Sequence, residues 1–169
     1  MEDKTLSTIL SGLQKAIQIE RDGYYFYMMA AKSTSDPEGH RAFESLANEE
    51  KEHERILKLQ FDSLKNTGNM DSSLTAAPSD NSIGSFFSEE FAKRASEAHY
   101  EMSALSIGVQ LELQTIEHYR KLSEASEDPV VKVFFGNMVE WEKSHYEYLN
   151  GELEVLKNIY WSDSGFSPY

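Results

Sequence analysis

The chain contains no cysteine. That excludes disulfide frameworks, thiolate zinc sites, iron–sulfur clusters and cysteine nucleophiles. It leaves the redox compartment open, with the cytoplasm as the default expectation. Basic residues are outnumbered: 16 Lys and Arg against 29 Asp and Glu give a net charge of −13. Phosphate-backbone binding needs Lys and Arg, so no nucleic-acid partner is expected. A protein this negative concentrates cations around itself instead. No apolar run approaches the roughly 18 residues of a membrane span. The N-terminal MEDKTLSTIL lacks a signal-peptide core, so neither a leader nor a membrane is expected.

What is present suits one soluble globular domain. The 169 residues are 40% hydrophobic and 27% charged. A chain of this size buries about 70% of its unfolded surface, so a core needs no disulfide. Proline is scarce, at four residues, and two of the four follow an aspartate, as Asp36-Pro37 and Asp128-Pro129. An Asp cap followed by Pro in the first turn marks a helix start.

Apolar residues recur at helical spacing on both sides of Pro37. Leu6, Ile9, Leu10, Leu13, Ile17, Tyr24 and Tyr27 precede it, and Phe43, Leu46, Ile56, Leu57, Phe61 and Leu64 follow it. The pattern predicts helices near 6–34 and 37–65, then near 100–126 and 129–158 around Pro129. Residues 66–90 break it, with Asn66-Thr67-Gly68-Asn69 and Pro78-Ser79-Asp80-Asn81. A short helix is expected around Phe86–Ala95. A linker of about 25 residues can span up to about 80 Å, enough to return along a bundle. The expected organisation is an all-α, antiparallel four-helix bundle over 1–160, with a crossover at 66–99 and an aromatic tail at 161–169.

The two halves repeat at an offset of 92 residues without a gap. Glu20 falls on Glu112, Tyr27 on Tyr119, Asp36-Pro37 on Asp128-Pro129, and Phe43 on Phe135. Glu50-Lys51 falls on Glu142-Lys143, and His53 on His145. Such a repeat means two helical hairpins of one design. Amphipathic helices share apolar positions by chance, but that does not explain matched Glu and His among apolar neighbours.

Each half holds a Glu and, thirty residues later, a Glu-x-x-His: Glu20 with Glu50 and His53, then Glu112 with Glu142 and His145. Residues three apart share a helix face. Each hairpin arm is about 15 residues, roughly 22 Å, so the turn levels the lone Glu with the motif. Two hairpins face to face gather four carboxylates and two imidazoles in one layer. Four buried carboxylates without compensation would be prohibitively costly. Two divalent cations would cancel them. Oxygen-rich ligands with two imidazoles suit iron or manganese better than a structural zinc.

With these motifs the sequence resembles the rubrerythrin-like branch of the ferritin-like superfamily, over nearly all of 10–156. The resemblance rests on Ala16-Ile17-Gln18-Ile19-Glu20 with Tyr27, on Leu46-Ala47-Asn48-Glu49-Glu50-Lys51-Glu52-His53, and on their second-half counterparts. It implies a ferritin-like bundle holding two Fe ions, with Mn as the other metal to consider. It implies that Glu50 and Glu142 bridge the metals, with Glu20 and His53 on one and Glu112 and His145 on the other. Tyr27 and Tyr119 would hydrogen-bond the ligand shell. The implied activity is that of a non-haem di-iron oxidoreductase acting in oxidative stress. It would reduce hydrogen peroxide or dioxygen as Fe(II) is oxidised, with an external electron donor. The alternative is an iron-binding, ferroxidase or iron-buffering protein without sustained turnover.

Two departures from the family pattern stand out. Rubrerythrins proper carry a cysteine-bound iron module; this chain ends soon after the fourth helix and lacks cysteine, so no such module is expected. They also carry an extra carboxylate one turn past the third-helix Glu, where Thr115 stands here, with Gly23 as its repeat mate. A more symmetric site is expected.

Other polar candidates are placed outside the site. Glu117 is expected to point elsewhere, and Glu49 and Glu52 to be solvated beside the first motif. His40, His99 and His118 have no repeat partner and are expected in surface or core roles. Gly23 and Gly108 lie inside helices, where Gly costs about 1 kcal/mol. Close packing would explain both, and room for an oxidant beside Glu20 would also explain Gly23. The tail Tyr160-Trp161, Phe166 and Tyr169 is expected to pack on the bundle or on a second copy in a homodimer.

Overall fold

The computed structural model describes residues 3–74, 86–88, 91 and 98–163. Four helices account for nearly all of them: α1 (Asp3–Ser33), α2 (Pro37–Thr67), α3 (His99–Glu124) and α4 (Pro129–Asp163). The architecture is an all-α four-helix bundle. α1 begins three residues before its predicted start, and α2 and α4 run two and five residues past their predicted ends, where no Gly or Pro stops them.

The two Asp-Pro signals act as read. Asp36 is extended (φ −88°, ψ 125°) and its carboxylate accepts the Gly39 N–H at 2.8 Å, with Pro37 opening α2. Asp128 accepts the Val130 N–H at 2.8 Å at the start of α4. Gly68 ends α2 in the left-handed region (φ 75°), where a side chain would be strained, and its N–H bonds the Leu64 carbonyl at 2.9 Å.

Each hairpin is antiparallel, and the pairing of the hairpins follows from two contacts. Near the α1–α2 turn, Thr34 Oγ1 donates to Glu101 Oε1 at 2.9 Å, at the start of α3. At the far end, Gly12 lies so close to Leu122 that a Cβ there would sit 2.1 Å from its Cδ2. So α1 and α4 run one way and α2 and α3 the other, which requires a crossover along the whole bundle. It leaves the far end through Gln60, which donates from Nε2 to the Asp71 carbonyl at 2.9 Å and accepts the Asp71 N–H at 2.9 Å. It reaches the other end at Phe86, whose ring lies 4.8 Å from Phe43 and 5.0 Å from Tyr148. There Ser88 Oγ donates to Asp36 Oδ1 at 2.5 Å. The short helix expected around 86–95 falls mostly outside the described residues, as do Phe166 and Tyr169. Tyr160 stands edge-on to His99, and Trp161 is 44% exposed.

Two apolar clusters fill the bundle. One packs Tyr27, Phe43, Phe86, Leu105 and Leu149 near the α1–α2 turn. The other packs Leu13, Leu57, Tyr119, Phe135 and Met138 toward the opposite end. Between them, at mid-height on all four helices, lies a buried polar layer. Among the described residues no helix is long and apolar enough to cross a membrane.

Candidate metal centre

The polar layer consists of Glu20 from α1, Glu50 and His53 from α2, Glu112 from α3, and Glu142 and His145 from α4. None of the six exposes more than 3% of its surface. Helical periodicity explains the convergence. Each lies on the face that also carries the core: Glu20 one turn after Ala16, Glu50 one turn after Leu46, and Glu112 three residues after Val109.

The six form two overlapping sets. One joins Glu20, Glu50, His53 and Glu142; the other joins Glu50, Glu112, Glu142 and His145. Within each set one ligand atom per residue lies within 4.8 Å of the others. Glu50 and Glu142 belong to both. Both imidazoles turn Nδ1 inward. His53 Nδ1 is 2.9 Å from Glu142 Oε1 and 3.1 Å from Glu20 Oε2. His145 Nδ1 is 3.3 Å from Glu50 Oε1 and 3.4 Å from Glu142 Oε2.

The electrostatics are those of a crowded anionic cavity. Burial, then the charges of Glu142 and Glu50, push the Glu20 carboxyl well above the usual range. Burial and the same two neighbours do this to Glu112. Burial alone would lower both histidines. The carboxylates around them win, and His53 and His145 are held well above the ordinary histidine value. Without metal, protons thus do part of the neutralising.

Several atoms remain without a hydrogen bond even so. Glu50 Oε1, both Glu142 oxygens and His145 Nδ1 are buried with no well-directed partner among the described residues. Buried polar atoms are nearly always satisfied, and an absent ion is one reason for an exception. These four belong to the residues shared by the two sets and to an imidazole facing them; a fifth such atom, His53 Nε2, belongs to the other imidazole. The donor set of carboxylate oxygens and imidazole nitrogens therefore fits a pair of divalent or trivalent cations.

Two tyrosines complete the layer, and they do so crosswise. Tyr27 Oη donates to Glu112 Oε1, and Tyr119 Oη donates to Glu20 Oε1. Burial first, then the adjacent carboxylates, raises both phenols well above their usual pKa, so both keep their protons. A Cβ on Gly108 would lie 3.3 Å from the Tyr27 hydroxyl, so this glycine makes room for that ring.

A pocket of about 400 Å³ leads in between α1 and α3. Its apolar wall includes Ile19, Phe26, Ile107 and Leu111, and Tyr27, Glu50 and Glu112 also line it. Gly23 and Thr115, the repeat mates, both line it too. Thr115 Oγ1 is turned back to the Leu111 carbonyl at 3.0 Å. A Cβ on Gly23 would meet Glu50 Cγ at 3.4 Å; the space the glycine leaves lies beside Glu50, not beside Glu20 as expected.

Glu49 corrects a second expectation. It is not solvated: its side chain is 12% exposed, and Oε2 accepts from Trp141 Nε1 at 3.0 Å and lies 3.1 Å from His145 Nε2. The signal was present in the sequence, because position 49 repeats as position 141, where the residue is Trp. Glu52 does face solvent and pairs with Arg55 at 2.6 Å. Glu117 is exposed and pairs with Arg120 and Lys121. His40 and His118 bond backbone carbonyls, of Ala31 and Gly12, away from the layer.

Comparison with known proteins agrees with this geometry. The rubrerythrin family model matches residues 12–153, which contain all six buried Glu and His residues and both tyrosines. No curated protein and no solved structure gives a significant match. The chain belongs to the rubrerythrin family.

Proposed function

We propose that this protein is a non-haem di-iron oxidoreductase that reduces hydrogen peroxide or dioxygen. One observation carries the reading: the two four-residue sets overlap in two carboxylates, Glu50 and Glu142. Shared carboxylates hold two cations close together, as a two-electron centre requires. Glu20 and His53 would complete the shell of one iron, and Glu112 and His145 that of the other. A bound iron pair supplies two electrons, one from each Fe(II), so that peroxide takes up two protons and leaves as two waters.

The chain's own residues supply position and an apolar surrounding. Tyr27 and Tyr119 hold Glu112 and Glu20 in place by donating to one oxygen of each. Tyr27 also lines the pocket, so its Oη–H lies beside the route of a small oxidant. The apolar wall limits water near the carboxylates, which strengthens every charge interaction inside. Gly23 leaves the approach to Glu50 open.

Anaerobic loading with Fe(II), followed by peroxide, tests the reading. Near-ultraviolet absorption of the oxidised centre should rise with iron and break at two irons per chain. Absence of saturable iron binding would overturn it.

A second reading treats iron as the substrate: binding, oxidation or buffering without a reduction cycle. The lack of any thiolate within the 169 residues favours it, since these residues offer no relay of their own for electrons. Repeated peroxide turnover with a reduced rubredoxin-type donor would exclude this second reading.

A further inference from the structure

The repeat that builds the site is broken at one pair of positions that touch it. Positions 49 and 141 are equivalent, each immediately before a shared carboxylate, yet one is Glu and the other Trp. In the bundle these two residues meet. Trp141 Nε1 donates to Glu49 Oε2, and the same oxygen lies 3.1 Å from His145 Nε2.

The two imidazoles are therefore backed differently. An imidazole that binds a cation through Nδ1 carries its proton on Nε2. At His145 that N–H points at a carboxylate. At His53 the nitrogen is buried with no hydrogen-bond partner among the described residues, and the ring stands edge-on to the Trp141 indole at 4.2 Å. A carboxylate behind a ligating histidine fixes the ring and raises its basicity; removing such partners commonly costs about 10–100-fold in metal affinity. The two sets otherwise match residue for residue: one lone Glu, one His, one tyrosine donor, and the same two shared carboxylates.

We propose that Glu49 is a positioning residue that makes the two halves of the centre unequal, so that the Glu112–His145 position takes a divalent cation first. The inference rests on the two-metal reading above. The polarity is set by one carboxylate, whose Oε2 also accepts from the Trp141 indole. The pocket is lined by Glu112 and not by Glu20 or His53, so the position that fills first is also the one it opens on.

Stepwise affinities alone do not test this, because two cations in one cavity repel each other even at identical positions. Occupancy does. Crystals of the metal-free protein equilibrated with one equivalent of Co(II) should show anomalous scattering at the Glu112–His145 position at least about tenfold stronger than at the Glu20–His53 position. Glu49→Gln keeps the shape and loses the charge. It should bring the two occupancies close to equal and weaken the first calorimetric binding step about tenfold, with the metal-free melting temperature nearly unchanged. Trp141→Phe keeps the ring and should preserve the inequality. Equal occupancy in the wild-type protein, or preference for the His53 position, overturns the proposal and leaves the two-metal reading standing. An unchanged preference in Glu49→Gln also overturns it. No saturable Co(II) binding overturns both.

Discussion

Tyr27, on the first hairpin, donates its hydroxyl proton to Glu112, on the second. Tyr119 returns the contact to Glu20. Each lone carboxylate takes its tyrosine donor from the other hairpin, so docking of the hairpins and shaping of the site are coupled. Tyr27→Phe and Tyr119→Phe should each weaken metal binding by about tenfold or more while leaving the helical fold intact. Equilibrium titration with Co(II), alongside circular dichroism, measures both. Wild-type affinity in both variants would show that the hydroxyls only fill space.

Shared and private ligands should behave differently on truncation. Glu142→Ala removes a member of both sets and should abolish binding of both cations. His53→Ala removes a member of one set and should leave one cation per chain. Metal analysis after gel filtration counts them. Two tightly bound cations in either variant would refute the assignment.

Metal removal should destabilise the protein. At a hundredfold excess over its dissociation constant, one site adds about 2.7 kcal/mol. For a chain of this size, each kcal/mol moves the melting temperature by about 2–4 °C. A chelator should therefore lower the melting temperature by about 5–11 °C per site, as calorimetry can record.

Asp36 ties the start of α2 to Ser88 of the crossover. Burial by itself would raise its pKa, but hydrogen bonds from Ser88, Gly39 and Glu38 win and hold it below the ordinary 3.8. A carboxyl depressed in the folded state stabilises fully above its unfolded pKa, and the contribution disappears as pH falls through the folded one. Asp36→Ala should cost about 1–2 kcal/mol at pH 7. The gap to wild type should begin to close as pH drops below about 3.8. Urea melts at pH 7 and at low pH compare the two.

Gly23 lies beside Glu50 in the pocket wall. Gly23→Ala adds a methyl in ordinary contact with the Glu50 side chain, at 3.4–3.7 Å, and should bind metal normally. Gly23→Leu should slow oxidation by peroxide more than tenfold while metal stoichiometry falls little. Stopped-flow mixing of the Fe(II)-loaded protein measures the rate, and unchanged oxidation would place the oxidant's route elsewhere.

The six-residue layer was legible because polar residues repeat inside an apolar pattern, and one hairpin turn levels them. Its crosswise tyrosines were legible as positions but not as partners. Spacing puts Tyr27 two turns beyond Glu20 on the same helix; only the docking of the hairpins shows that it reaches Glu112. For the same reason spacing points Gly23 toward Glu20 on its own helix, whereas its neighbour is Glu50 from the opposing helix. Flanking the motif on α2 predicts a solvated Glu49. Its burial depends on α4, whose indole and imidazole close over it. Contacts within a helix follow from period, whereas contacts between helices need the rotation of each helix in the bundle.

The overlap of the two sets has a consequence for the chain as a polymer. Glu50 and Glu142 stand 92 residues apart in sequence and side by side in space. A cation pair gripped by both would close that loop as a covalent cross-link does. For a disulfide, a loop of about 100 residues corresponds to about 4.7 kcal/mol of lost unfolded-state entropy. A sequence without a single cysteine would thereby gain a removable staple, one that a chelator opens instead of a reductant.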